Sequence, residues 1–252
     1  MPEISIITPS LDAARTLSCC LQSVGRQTIS AEHILLDGGS TDNTLEIARE
    51  SGRHLSRIVS EKDQGIYDAM NKGLKMAGGD VIGFLNADDY YPSSGVLEKV
   101  KGVFEDRSIE SCYGDLLYVD INDPGKVARF WRSGNFRPGR FSWGWMPPHP
   151  TFFARKGVFE RFGQFRLDLG TAADYELMLR FLLKHRVSTR YIPEVLVRMR
   201  TGGASGASLA GRLRANRYDR LAWKVNGLTP YPWTTFLKPL RKIPQFFPLR
   251  HD

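Results

Sequence analysis

Val81-Ile82-Gly83-Phe84-Leu85-Asn86-Ala87-Asp88-Asp89-Tyr90-Tyr91-Pro92, entered through Gly79-Asp80, decides how the rest of the chain is read. The apolar run from Val81 to Leu85 is too short for a helix and follows Gly, as in a strand buried on both faces. Directly after it come three oxygen-bearing side chains, Asn86, Asp88 and Asp89, and Pro92 closes the turn. Carboxylates at the C-terminal end of such a strand face the crevice where open α/β sheets bind ligands. Adjacent carboxylates repel unless a cation or strong donors sit between them. A hard divalent ion, Mg²⁺ or Mn²⁺, takes oxygen ligands of this kind together with substrate phosphates. A solvated Asp-Asp turn is the plainer alternative, since Asp favours turns.

The residues before this strand repeat one theme. Ile4 to Thr8 is a first strand ended by Pro9-Ser10, and Ala14, Leu17, Leu21 and Val24 follow at helical spacing. His33 to Asp37 is a second strand, running into Gly38-Gly39-Ser40-Thr41-Asp42-Asn43 and a helix through Leu45, Ile47 and Ala48. Arg57 to Ser60 is a short third strand, and Ile66, Met70, Leu74 and Ala77 mark the next helix. Alternation of this kind predicts an α/β fold with right-handed crossovers and a mostly parallel sheet flanked by helices. Neither G-x-G-x-x-G nor G-x-x-x-x-G-K-[ST] occurs, so phosphates must be held some other way. Asp37, ending a strand beside the crevice, is suited to accept hydrogen bonds from a base or ribose, and Asp88 and Asp89 to hold a diphosphate through a metal.

Composition narrows the class. The chain has 252 residues, 42% of them hydrophobic, enough for a sizeable core, and no apolar run approaches a membrane span. No leader is expected ahead of the first strand. Three cysteines without metal-ligand spacing suggest a reducing, cytoplasmic compartment. The net charge of +8 is concentrated at the end: residues 197–252 hold eleven Lys and Arg against two Asp, leaving the body near neutral. A uniformly basic surface would have suggested nucleic acid. A basic tail suggests a local anionic partner, such as a membrane face or a lipid-linked substrate.

Four stretches together resemble the family-2 glycosyltransferases, inverting enzymes of the GT-A fold, and within them the bacterial exopolysaccharide and colanic-acid type. They are Thr8-Pro9-Ser10, Asp37-Gly38-Gly39-Ser40-Thr41-Asp42, Asp63-Gln64-Gly65-Ile66-Tyr67-Asp68-Ala69-Met70-Asn71-Lys72-Gly73, and Asn86-Ala87-Asp88-Asp89. The resemblance implies a nucleotide site built from Thr8, Pro9, Ser10, Asp37, Gly38, Asp63, Gly65, Asn71, Asn86 and Ala87. It also implies a metal on Asp88 and Asp89. Leu11-Asp12 stands where many members carry an aromatic residue and Asn. Asn86 stands where many carry Asp, which leaves the metal to Asp88 and Asp89.

Beyond Pro92 the chain reads as a helix from about 95 to 104, strands over 112–115, 116–120 and 126–131, and a hairpin turn at Asn122-Asp123-Pro124-Gly125. Residues 132–150 are rich in Gly, Pro and aromatics and lack periodicity. Trp143, Trp145 and His149 within them either bind a sugar acceptor by stacking or pack as a satellite core. Thr151 to Arg155 is a strand and Val158 to Phe162 a short helix. A helix starting near Ala172 carries Asp174 in its first turn, where the helix dipole favours an acid. The resemblance implies that Asp174 is the catalytic base, with Ala173 replacing a frequent Glu. Further strands are expected at 191–192 and 195–199. By the same resemblance Arg200 and the glycine loop after it close over the nucleotide. Ser208 to Val225 reads as helical. Trp233, Phe236, Leu237, Leu240, Ile243, Phe246 and Phe247, interleaved with Lys238, Arg241 and Lys242, describe either an interfacial segment on an anionic membrane or an arm folded on the domain. Pro239 and Pro244 argue against one unbroken helix.

The expectation is therefore a GT-A-like catalytic domain over residues 1–205, with a nucleotide-binding half (1–91) and an acceptor half (92–205). A basic amphipathic helical extension over 206–252 follows. Its activity would be inverting, Mg²⁺- or Mn²⁺-dependent transfer of a sugar from a UDP- or GDP-sugar donor to a saccharide acceptor hydroxyl. The acceptor is expected to be lipid-linked, in surface polysaccharide synthesis at the inner face of the plasma membrane. A sugar nucleotidyltransferase is the first alternative; it would normally show a glycine-rich loop with a basic residue after strand one, unlike Ser10-Leu11-Asp12. A catalytically silent scaffold of a polysaccharide assembly is the second.

Overall fold

The computed structural model describes residues 3–202, 209–241 and 243–246, with side chains undescribed at 209–214, 235, 236, 239 and 244. The expected closing loop 203–205 and Phe247 lie outside the described residues, as does the side chain of Phe236. The first hundred residues alternate as read: β1 (Ile4–Ser10), α1 (Leu17–Gly25), β2 (Glu32–Asp37), α2 (Thr44–Ser51), β3 (Arg57–Ser60), α3 (Ile66–Met76), β4 (Val81–Phe84) and α4 (Val96–Phe104). Strands β3, β2, β1 and β4 lie side by side in that order, all parallel. The register pairs Ser10 with Asp37, Asp37 with Ser60, and Ile7 with Phe84, so all four C-terminal ends open on one edge. That edge is where such a sheet presents a crevice.

Alternation along the strands divides the core. Ile7, Ile34, Leu36, Ile82 and Phe84 pack on one face with Met70 and Leu74 of α3. Ile4, Ile6, Val81 and Leu85 pack on the other with Cys20, Val24, Val96 and Val100. Gly73 lets α3 approach closely, since a Cβ there would stand 2.4 Å from Ile7 Cγ2.

The second half changes strand direction. It contains β5 (Ser111–Val119), β6 (Val127–Trp131), β7 (Phe153–Arg155), α5 (Lys156–Phe162), α6 (Ala173–Met178) and β8 (Thr189–Arg200). Strand β7 runs antiparallel to β4, β5 antiparallel to β7 and to β6, while β8 runs parallel to β5. Two expectations change here. The strands read at 112–115 and 116–120 are one strand, β5, and those read at 191–192 and 195–199 are one strand, β8. Register shifts on either side of Asp115 break the alternation without breaking the pairing.

The C-terminal extension comprises α7 (Leu209–Val225), α8 (Thr234–Leu240) and a 3-10 turn, Ile243–Phe246. It shares the core of the body: Ala222 and Trp223 are buried in the same cluster as Tyr175 and Leu177. Trp223 Nε1 donates to the Tyr175 hydroxyl at 2.9 Å, and Thr234 Oγ1 donates to Ser142 O at 2.6 Å. The boundary read at 205/206 therefore does not separate two cores. Among the described residues no helix is long and apolar enough to cross a membrane.

Candidate active site

The turn after β4 is held by its own backbone and by Asn86. Asp89 N donates to Asn86 O at 2.9 Å, and Asn86 Nδ2 donates to Asp89 Oδ2 at 3.1 Å. Asp89 is fully buried, whereas Asp88 is partly exposed. Burial, and then the charge of Asp88, push the Asp89 carboxyl well above the usual range; burial also raises Asp88, partly offset by Arg200. Two buried oxygens here, Asn86 Oδ1 and Asp89 Oδ1, have no hydrogen-bond partner. Unpartnered acceptors beside a pair of crowded carboxylates fit a hard cation, which would relieve both costs. Among the described residues no group of three or more His, Cys, Asp and Glu could enclose an ion. An ion on Asp88 and Asp89 would take phosphate and water to complete its shell.

Arg200 reaches the same turn from the end of β8. A bridge between Tyr90 and Arg198 fixes the approach, with hydrogen bonds of 3.0 and 2.8 Å. Arg200 Nη1 donates to Asp88 O at 2.6 Å, and its guanidinium lies 4.8 Å from the centre of the Tyr90 ring.

Several residues read as nucleotide-binding make hydrogen bonds within the protein. Thr8 is buried, with Oγ1 2.9 Å from His33 Nε2. Asp37 is buried; it accepts from Gly39 N, Ser40 N and Ser60 Oγ at 3.2, 3.1 and 2.7 Å, and from Ser40 Oγ. Burial alone would raise Asp37, but these bonds outweigh it and hold the carboxyl below its ordinary value. Asp37 thus clasps the Gly38–Ser40 turn, and its oxygens already accept four donors. Asn71 is buried too, exchanging two hydrogen bonds with the backbone of Phe165 at 2.9 and 3.0 Å. The groups left at the crevice are the exposed rim of Leu11 and Asp12, the backbone of Gly38, and Asp63. Asp63 Oδ1 accepts from Gly65 N at 2.8 Å, and Oδ2 lies where a Cβ on Gly38 would stand. Asp12, with φ +46°, links the end of β1 to the glycine turn by accepting from Thr41 N at 2.8 Å.

Asp174 lies at the start of α6, half-buried. Three ionisable side chains feel its charge: Tyr67 from α3, Tyr118 from β5 and His149 from the loop before β7. Tyr118 feels Asp89 as well. Glu176, two residues on, points away and is 1% exposed. It accepts from Arg180 Nε and Nη2 at 2.9 and 2.7 Å and from Asn226 Nδ2 at 3.2 Å.

The irregular segment divides in two. Trp145 is buried against Phe136, Phe141 and Tyr113 and donates Nε1 to Ser133 O at 2.9 Å. It is core, with no ring face left for a sugar. His149 is 8% exposed, stacked on Phe84 at 5.9 Å and edged against Phe165 at 5.4 Å, and its Nε2 has no partner. Burial lowers its pKa, with Asp174 partly opposing. Trp143 is 54% exposed and sits 6.1 Å from Trp233. Tyr67, Phe165 (packed on it at 5.3 Å) and Tyr118 were not among the site residues read from the sequence. The one available signal was the four-residue spacing of Tyr67 and Asn71.

The family model described as "Glycosyl transferase family 2" matches residues 5–162. The chain belongs to glycosyl transferase family 2. A PGL/p-HBAD biosynthesis glycosyltransferase of Mycobacterium bovis is 34% identical to it over 200 residues, covering 77% of this chain and 75% of that one. A glycosyltransferase of Mycobacterium tuberculosis without a defined role is 30% identical over 188 residues, covering 72% and 70%. Among solved structures, S. aureus TarS with UDP-GlcNAc superposes with a TM-score of 0.67 at 16% identity, covering 93% of this chain and 69% of that one. The mannosyltransferase PcManGT of Pyrobaculum calidifontis, with GDP-Man and Mn²⁺, gives 0.65 at 19% identity, covering 94% and 68%. Against a longer TarS chain, at 16% identity and a TM-score of 0.64, 87% of this family-2 glycosyltransferase aligns but only 39% of TarS. These neighbours carry the GT-A fold, and the sheet described above is theirs.

Proposed function

We propose that this family-2 glycosyltransferase is an inverting enzyme that moves a sugar from a UDP- or GDP-sugar to a hydroxyl of a lipid-linked saccharide. The observation that carries this reading is the Asp88–Asp89 turn at the C-terminal edge of the parallel sheet, with Arg200 Nη1 on the Asp88 carbonyl at 2.6 Å and two buried acceptor oxygens left unpartnered. That turn is suited to the leaving group, and Asp174, at the start of α6, to the nucleophile. Asp174 accepts the proton of the acceptor hydroxyl, whose oxygen attacks the anomeric carbon opposite the diphosphate. A single displacement of this kind inverts the centre, and no enzyme nucleophile is needed. Arg200, resting on the Asp88 carbonyl, is placed to pair with the diphosphate. Asp88 and Asp89 would hold Mg²⁺ or Mn²⁺, which when bound offsets the charge developing on the leaving diphosphate. The crystallised neighbours with UDP-GlcNAc, or with GDP-Man and Mn²⁺, support a nucleotide-sugar donor and a divalent ion.

A lipid-linked acceptor is supported by the outer face of the C-terminal arm. Tyr231, Trp233, Leu240, Ile243 and Phe246 are each 44–57% exposed, as is Trp143 on the loop beneath. Phe246 lies 5.7 Å from the guanidinium of Arg129, which in turn covers Tyr118 at 3.7 Å. Phe246 is thereby joined to Tyr118 of β5 through Arg129. An anionic lipid surface suits exposed aromatic rings next to Arg241 and Arg129.

The test is a melting screen of UDP, GDP and their sugars with Mn²⁺ or EDTA, followed by hydrolysis of whichever donor binds. Donor stabilisation should vanish in EDTA and in Asp88→Ala. Asp174→Asn should keep that stabilisation while losing roughly 10²-fold or more in kcat. Full turnover in Asp174→Asn removes the base assignment, and unchanged binding in EDTA removes the metal.

A further inference from the structure

Helix α6 is six residues long before the helical turns widen at Leu179. So short a helix does not hold its place by its own hydrogen bonds, and what packs on it decides where Asp174 stands. The C-terminal arm packs on it closely. In the 3-10 turn that leads into α6, Leu167–Ala172, Gly170 takes a φ of +48°. A Cβ there would stand 3.2 Å from Tyr218 Cε2 of α7, so glycine permits both the turn and the approach. Helix α8 lies equally close to the body: a Cβ on Gly144, at φ +76°, would stand 2.5 Å from the backbone N of Lys238.

Tyr175 of α6 meets both arm helices. Trp223 Nε1 of α7 donates to its hydroxyl at 2.9 Å, and Lys238 Nζ of α8 lies 3.7 Å over its ring. Asp219 of α7 holds that ammonium at 2.7 Å. At the other end of the same residue, Tyr175 N donates to Asp174 Oδ1 at 2.7 Å. Hydroxyl, ring and peptide of one buried tyrosine thus link the arm to the Asp174 carboxylate. Asn226, one turn beyond Trp223, takes a different hold: its Nδ2 donates at 3.2 Å to Glu176, which points away from Asp174.

We propose that the C-terminal arm positions the base of this transferase, with Trp223 and Lys238 fixing Tyr175 and the Tyr175 N–H fixing the Asp174 carboxylate. This role rests on Asp174 being the base. Tyr175 and Trp223 are 1% and 2% exposed, so neither touches a substrate, and both act through Asp174 as positioning residues. They move no proton and make no bond. Their effect is geometric, since a reacting group displaced by about 1 Å can cost about 10²-fold in rate.

Tyr175→Phe keeps the ring under Lys238 and removes the bond from Trp223, and Trp223→Phe removes the same bond from the other side. In hydrolysis of the UDP- or GDP-sugar bound by the wild type, with water in the acceptor's place, each should lower kcat about threefold to tenfold. That is the span set by one neutral hydrogen bond. Donor KM and the donor's effect on melting temperature should stay at wild type, because the Asp88–Asp89 turn is untouched. The double variant should lose no more than the larger single loss, and in an Asp174→Asn background neither change should lower kcat further. Asn226→Leu supplies the contrast: a lower melting temperature with kcat near wild type. Either single variant suffices should the other fail to fold. Wild-type kcat in the folded single variants would overturn the proposal, as would multiplied losses in the double variant or an undiminished loss in the Asp174→Asn background. An equal loss of kcat in Asn226→Leu would overturn it too, by reducing the effect to the stability of α6. Full turnover in Asp174→Asn itself would instead fail the base reading.

Discussion

Glu176 and Asp174 stand two residues apart in one helical turn, and their surroundings give them opposite work. Positions two apart point to different faces, so only one can look into the crevice. The sequence shows this much but not which. In the structure the Arg180 guanidinium takes both Glu176 oxygens in a bidentate pair that is almost fully buried. Removing one partner of such a pair leaves the other charge uncompensated, at a cost of about 3–5 kcal/mol. Glu176→Gln should therefore lower urea-unfolding stability by that order while Asp174→Asn, half-exposed and without an ion pair among the described residues, should change it by less than about 1 kcal/mol. Equal stability losses in the two variants would mean that the Arg180 pair is not what separates them.

At the level of elements, the parallel half of the sheet was legible because each strand is a short apolar run between turn residues. The antiparallel half was less so. Strand β8 carries Pro193 and Glu194 in its middle, and its register shift against β5 hides the alternation. Site residues followed a similar rule. Asp88 and Asp89 were marked by their place at a strand end, and Asp174 by the family resemblance at a helix start. The partners of Asp37, Asn71 and Trp145 lie far along the chain, at Ser60, Phe165 and Ser133, where the sequence does not show them. His33 on β2 is a further case. It is fully buried between Thr8 and His54, and burial lowers its pKa to about 3, with the neighbouring His54 adding to the effect. A histidine depressed in the folded state takes up a proton first in the unfolded chain. Its contribution is therefore present above the unfolded value near 6.5 and is lost as pH falls toward 3. Unfolding free energy should drop between those limits by up to about 1.4 kcal/mol per pH unit from this group. His33→Gln should flatten that slope, whatever its stability at pH 7; an identical slope would show that His33 is not buried in its neutral form.

Across the whole molecule, one of the two readings that the sequence left open for the C-terminal arm, an arm folded on the domain, describes its inner face. Its inner face belongs to the domain: Lys238 pairs with Asp219 at 2.7 Å and lies 3.7 Å over the Tyr175 ring, beside Asp174. Truncation before α8 would expose Tyr175 and disturb α6, so it cannot separate lipid binding from catalysis. The outer face can be tested alone. Tyr231 stacks on Trp233 at 5.1 Å and Trp233 neighbours Trp143, forming an exposed aromatic ledge with Arg241 beneath it. Rings of this kind settle at the headgroup level, and each nearby cation adds roughly 1 kcal/mol of attraction to an anionic surface. The double change Trp143→Ser with Trp233→Ser should leave melting temperature and donor hydrolysis near wild type. It should also strip most of the protein from sedimented vesicles containing phosphatidylglycerol. Wild-type binding should weaken as salt rises, since the screening length shrinks from about 10 Å at 0.1 M to 3 Å at 1 M. Equal sedimentation with purely zwitterionic vesicles, or with the double variant, would mean that the ledge faces something other than anionic lipid.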